Sequence, residues 1–492
     1  MLPFDLKDAS PLVFLLDCII TPDCISMLPA SAIDFSIIFI ITTLFFPSLV
    51  SSLVKTLFRY IMDGIMLGLF LFRFFIFAIL VWNHRKFYSF FANVLADHLD
   101  PTTASQVIIN NNTAETEAQL EEHIRRQRSI TTFQFAGSKA SKDYHLALRA
   151  RANVGVRQAF GIENSLTTTS PESHKSFLNL ASGHVNERTR DWTRLYDAAK
   201  TFLESEITTA RATEQPIQLA ESIQCACLTV VLADNFAVDP ATLPRQSLVV
   251  IASEINRQWL MSKESKHGGT VKKSYLLEGI ISSLHLVSYK SPHALLLPEY
   301  VLSLIMPQYE TLWRVVLLAF VTAYHRQFDP ALAKRVEGVP GCLGKPEWEK
   351  EAVKVGKESL RLYPSNKRIY RCTSLSPKSS PSETIKADVE SCHRSELVWG
   401  EDALRFKPER FDSLTELQKE AYFPYSLRPH RCPAFSGFGD RMVTMLVVCL
   451  GRVLRPEIGR VRFGGVLDHD EEKALPTGRD EVGGWTFELE RA

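Results

Sequence analysis

The alternation of apolar and polar positions separates an apolar N-terminal region from a long amphipathic remainder. From Phe35 to Val54 twenty uncharged residues run without a break, FSIIFIITTLFFPSLVSSLV. That is the length needed to cross a bilayer core of about 30 Å. A second apolar run, Gly64–Trp82, contains Arg73 and is closed by His84, Arg85 and Lys86. Five aspartates (Asp5, Asp8, Asp17, Asp23, Asp34) face a single Lys7 before the first run, and Lys55 and Arg59 follow it. The excess of cations on the cytosolic side of a span then places 1–34 in the lumen and the bulk of the chain in the cytosol. One span, 35–54, is expected. Residues 55–86 then lie in or on the membrane; the alternative is a buried helix of the globular domain.

Past residue 87 the pattern is globular. A charged helix is expected over Ala114–Arg128 and a buried one over Gln218–Phe236, ending near Asp239-Pro240. Further helices are expected over Val301–Arg326 and over Glu349–Tyr363, before Pro364. KESKHGGTVKK (Lys263–Lys273) and SLSPKSSPSET (Ser374–Thr384) read as loops. Near the end Trp485, Phe487 and Leu489 alternate as a strand does. The fold class is mainly α with minor β.

Composition narrows the function. The 492 residues carry a net charge of +1 and 46% hydrophobic residues, enough for a large core and without the basic excess of a nucleic-acid binder. Nine scattered cysteines argue against a disulfide scaffold and for reduced thiols in the cytosol. No Cys-x-x-Cys pair is present, which argues against a structural zinc site.

One cysteine stands out. In FPYSLRPHRCPAFSGFGDRM, Cys432 sits between Pro429 and Pro433, and the helix-like VTMLVVCLGRVL follows. The prolines restrict the loop. A helix N-terminus and Arg428, His430, Arg431 and Arg441 are expected to lower the thiol pKa and favour the thiolate, the metal-binding form. A lone thiolate suffices as the axial ligand of haem iron. Taken alone, the loop fits an ordinary cysteine better.

Three more segments shift that balance. MPQYETLWRVV places the acid–alcohol pair Glu310–Thr311 in a long apolar helix. KESLRLYP sets Glu358 and Arg361 three apart on one helix face. HRSELVWGEDALRFKPERFD ends in Pro408-Glu409-Arg410-Phe411. In this order, ahead of the cysteine loop, the set resembles a membrane-anchored cytochrome P450, over residues 301 to 450, and its style is similar to that of fungal secondary-metabolism enzymes.

The resemblance implies a P450 catalytic domain over 87–492, with haem b held by Cys432 as the iron's thiolate ligand. It implies that His430, Arg431 and Tyr425 contact the haem, His430 at a propionate. Glu358, Arg361 and Arg410 would form a buried structural network, and Glu310 and Thr311 would deliver protons on the distal side. The reaction implied is insertion of one oxygen atom from O2 into a lipophilic small molecule, a terpenoid or polyketide, at the endoplasmic reticulum membrane. GFGDRM is no dinucleotide fingerprint, so electrons would come in trans from NADPH-cytochrome P450 reductase, steered by Arg405, Lys407, Arg428 and Arg431; the alternative is that these are solvated charges.

The sequence departs from the family at Tyr425 for Phe, Arg428 and Ala434 for Gly, His430 for Arg, and Pro307–Gln308 for Ala-Gly. Where glycine supplies a positive φ, Arg428 would be strained. Pro307 suits a helix that kinks over the iron. Two other readings remain: a P450-like enzyme of non-oxygenating haem chemistry, and a non-catalytic homologue that binds haem poorly.

Overall fold

A long apolar helix, Pro298–Phe320, organises the molecule. The computed structural model describes residues 113–490, with breaks at 138–140, 187–189, 265–271, 290, 328, 338, 344, 376–383 and 470–474. The expected segments 1–34, 35–54 and 55–86 lie outside the described residues. Pro298 opens the long helix at a position where an amide hydrogen would have no partner. Its side chains from Leu312 to Phe320 are buried all round. Among the described residues Pro298–Arg326 is the helix long and apolar enough to cross a membrane, and 78% of its apolar window is buried within the protein. An all-round apolar helix is here a core helix.

The expected Val301–Arg326 helix starts three residues earlier, and its last turns, Val321–Arg326, are π-helical. It continues through Pro307. It packs against Leu219–Asn235, Tyr275–Ser283, Pro346–Leu362 and Phe438–Val453. The helix Leu219–Asn235 matches the buried one expected, and Thr113–Thr132 extends the charged one. Pro346–Leu362 begins ahead of the expected Glu349 because Pro346 takes the first-turn position.

The helices Pro346–Leu362 and Phe438–Val453 touch at their backbones. A Cβ on Gly356 would lie 2.3 Å from the Asp440 carbonyl oxygen. Only glycine permits that approach.

The β structure is minor. Thr486–Leu489 is the middle strand of an antiparallel sheet, between Ile217–Gln218 and Gly459–Arg462, with Phe487 opposite both Ile217 and Val461. The expected alternation appears as buried Trp485 and Phe487. Two hairpins complete it, Val287–Ser288 with Ser291–Leu295 and Arg368–Cys372 with Thr384–Asp388. Of the expected Ser374–Thr384 loop, 376–383 lie outside the described residues and Thr384 begins a strand.

Candidate active site

A cavity of about 1460 Å³ lies against the long helix. Cys432, His430, Arg431 and Tyr425 from the cysteine loop line it, as do Glu310 and Thr311. The cysteine loop precedes a short 3-10 turn, Pro433–Ser436, and Gly437, at φ 98°, starts the helix Phe438–Val453. The Cys432 N–H donates to the Tyr425 carbonyl at 2.9 Å. The Tyr425 hydroxyl donates to Asp440 Oδ1 at 2.7 Å.

The electrostatics of the loop differ from expectation. Cys432 is enclosed by protein, yet its surface is open to the cavity. Burial pushes its thiol pKa up; the backbone amide of Ala434 and the charge of Arg149 oppose the rise. The expected lowering by Arg428, His430, Arg431 and Arg441 is therefore corrected. His430 carries no charge, because burial and then Arg149 push its pKa down to about 2. Arg431 lies over the Phe435 ring, 4.6 Å from its centroid. The helix N-terminus is separated from Cys432 by the 3-10 turn. A bound metal ion deprotonates a coordinating thiol outright, so the raised pKa is no barrier to ligation. The strain expected at Arg428 is also absent: the left-handed residue of the loop is Ser426, at φ 63°, and the Arg428-Pro429 bond is cis.

Beside the thiol lies a cluster that the sequence did not reveal. Arg149, from the helix Lys142–Ala152, donates to the Ser165 carbonyl at 2.9 Å and toward His430 Nδ1 at 3.4 Å. Donation to Nδ1 leaves the His430 proton on Nε2, which has no partner among the described residues. Arg371, from the strand Arg368–Cys372, lies over the Phe133 ring at 4.5 Å, and its Nε also lacks a partner. Burial lowers the pKa of Arg149 to about 10 and that of Arg371 to about 9. His174 completes the group, edge-on to His430 at 5.4 Å. Among the described residues no carboxylate pairs with Arg149, Arg371 or His430. Buried cations and an orphaned donor are costly unless an anion meets them. The set is chemically suited to the carboxylates of a group such as haem, which Arg149, Arg371 and His430 would hold beside Cys432.

The other expected network meets its charges within the chain, although Arg410 Nε makes no hydrogen bond to a described residue. Arg361 donates to both oxygens of Glu358, at 2.7 and 2.8 Å, and to the His393 carbonyl at 2.8 Å. Arg410 Nε lies 3.4 Å from Glu358 Oε1 and its Nη1 pairs with Asp402 at 2.6 Å. The Lys407 N–H donates to Glu358 at 2.9 Å. Glu358 and Arg361 are wholly buried. The structure thus brings Glu358, Arg361 and Arg410 together.

On the long helix Thr311 is half-buried, and its hydroxyl makes no hydrogen bond to a described residue. Glu310 is buried and ion-paired with Arg479, which also donates to the Glu310 carbonyl at 3.2 Å and to Asn256 at 3.2 Å. Burial raises the Glu310 pKa and Arg479 opposes it. Arg479, in a loop near the end of the chain, had no signal in the sequence.

Comparison with known proteins follows from this site. No family model matches the chain. A protein of Caenorhabditis elegans named cytochrome P450 CYP13A3 is 38% identical over 84 residues, 15% of this chain and 16% of that protein. Over that stretch the chain is similar to a cytochrome P450. A second P450, CYP749A22 of Panax ginseng, is 34% identical over 111 residues, 20% of this chain and 21% of that protein. The benzoate 4-monooxygenase bphA of Aspergillus niger is 38% identical over 77 residues, 15% of this chain and 14% of that protein. These matches span about a sixth of the length of the P450 relatives.

Proposed function

We propose that the chain is a haem-thiolate monooxygenase of the cytochrome P450 fold, its catalytic domain running from 87 to 492. The observation that carries the reading is convergence on one cavity. A single thiol, a cation cluster without carboxylates and the Glu310–Thr311 pair all line it. Cys432 would be the iron ligand of haem b, and Arg149, Arg371 and His430 would take its carboxylates. Arg431 and Tyr425 would border it, Tyr425 by fixing the Cys432 amide. Haem, when bound, supplies the activation of O2 that allows one oxygen atom to enter a C–H bond.

The chain's own groups do the rest. The Thr311 hydroxyl holds a proton at Oγ1, facing the cavity. Glu310 exchanges its proton only by loosening from Arg479. The Glu358–Arg361–Arg410 network holds the Lys407–Arg410 segment on the core.

Electrons would come from NADPH-cytochrome P450 reductase. Arg405, Lys407 and Arg428 are exposed and would steer an acidic partner, with Arg431 half-buried beside them. The apolar runs near the N-terminus support an endoplasmic reticulum anchor and a lipophilic substrate of secondary metabolism. The carbon monoxide difference spectrum of the reduced protein tests the reading. A thiolate-haem Soret band that disappears in Cys432→Ala upholds it; an unchanged band in that variant refutes it.

The commitment of Glu310 to Arg479 favours one second reading, non-oxygenating haem chemistry. Oxygen uptake coupled to NADPH separates the two.

A further inference from the structure

Ten lysines and arginines line the cavity, against three aspartates and glutamates. Most of this positive charge is already engaged. Arg190 pairs with Asp234 at 2.6 Å, Arg368 with Asp388 at 3.2 Å, and Arg479 with Glu310. Arg194 donates to the carbonyls of Ala233 and Val238, and Arg314 to those of Pro364 and Ser365. Lys263 lies over the Trp259 ring at 4.1 Å, and Arg431 over Phe435. Arg149 and Arg371 belong to the cluster beside Cys432.

Lys367 is different. It is half-buried in the cavity wall, and its amine makes no hydrogen bond or ion pair with any described residue. The acids nearest to it are occupied. Glu390 binds Arg394 at 3.3 Å and Thr477 at 2.9 Å, and Glu481 takes the Gly478 N–H at 2.5 Å. Its backbone is fixed: the Lys367 carbonyl accepts from Val389 and Glu390 at 2.9 and 3.2 Å, and Arg314 clamps the two carbonyls of Pro364 and Ser365 just before it. Leu312, Val315, Leu360 and Ile369 line the same cavity. A positioned ammonium on a rigid turn, over an apolar hollow, is built to take an anion on an otherwise apolar molecule.

We propose that Lys367 is the head-group site of the substrate cavity, and that the substrate is an apolar molecule bearing one anionic group such as a carboxylate. Burial lowers the lysine pKa to about 8, which leaves it protonated at neutral pH. The proposal rests on the haem-thiolate reading only for what is then done to the substrate.

The test is calorimetric titration of the haem-loaded full chain with decanoate and with decanamide, which share the apolar body and differ in charge. The carbon monoxide spectrum of the same preparation reports separately on the haem reading. Decanoate is expected to bind about tenfold tighter, the yield of one charge-assisted contact. Lys367→Gln should abolish that preference and Lys367→Arg should keep it. Equal binding of the two ligands by the parent protein overturns the proposal. So does a preference that survives Lys367→Gln. Loss of haem by that variant also overturns it, by assigning Lys367 to the cofactor.

Discussion

Two buried groups of arginines lie in this molecule, and their surroundings are opposite. Around Glu358 every guanidinium has a carboxylate: Arg361 takes that of Glu358, and Arg410 that of Asp402. Around Cys432, and among the described residues, Arg149 and Arg371 have no carboxylate and His430 Nε2 has no acceptor. Both groups are taken out of water at a cost of several kcal/mol per ion. One recovers that cost within the chain. The other recovers it only from something the chain binds. Compensated buried charge marks architecture here; uncompensated buried charge marks a site.

The comparison is broken most directly at its compensated member. Glu358→Ala removes the carboxylate and strands Arg361, while Arg410 keeps Asp402, and should cost roughly 3–5 kcal/mol, read by denaturant unfolding of the haem-free chain. Unfolding within about 1 kcal/mol of the parent would show that the network is not what holds this region. Gly356→Ala, which drives a Cβ into the Asp440 backbone, should cost about 1–3 kcal/mol in the same assay. Arg371→Leu sharpens the contrast by reversing the sign. The haem-free chain should be unchanged or stabilised by about 1 kcal/mol, because an uncompensated charge is gone. Haem loss to an acceptor should meanwhile speed up about tenfold. A variant that is destabilised without haem would put Arg371 in the architectural class.

The smallest effect is in pH. His393 sits in the compensated region, where the Phe423 N–H donates to its Nε2 and its Nδ1 meets the Leu360 carbonyl. Burial lowers its pKa to about 3. The folded chain therefore holds His393 neutral, while the unfolded chain takes up the proton near pH 6.5. Stability from this group is complete above that value and is lost as pH falls toward 3, with a slope of at most about 1.4 kcal/mol per pH unit. In His393→Gln the pH dependence between 6.5 and 4 should flatten. An unchanged slope would exclude His393 as its source.

The two regions were also unequally legible. Glu358 and Arg361 lie one turn apart, and Arg410 stands in a short motif, so local spacing announced them. Cys432 stood out only through the order of the three motifs ahead of it, since its proline-flanked loop alone fits an ordinary cysteine better. Arg149 lies in a helix with Arg151 close by, and nothing local separates the arginine that meets His430 from the one that does not. Arg371 stands in the strand Arg368–Cys372, whose burial does not alternate, and nothing local marked it. Arg479 matters only through Glu310, and Lys367 only through the cavity wall it joins, and the tertiary fold makes both. The error about the thiol has the same origin. Counting cations near Cys432 in sequence selected Arg428, Arg431 and Arg441, whereas the charge that reaches the sulfur comes from Arg149, nearly three hundred residues away.

The middle strand of the small sheet carries a consequence in time. Phe487 pairs with Ile217, which leaves the ribosome about 270 residues earlier. At a synthesis rate of about 5–20 residues per second, Ile217 waits roughly 15 to 50 seconds for its partner. The waiting edge is two residues long, too short to recruit a neighbouring chain. A nascent polypeptide of this design can therefore leave its sheet open until its final strand arrives, without offering that edge to aggregation.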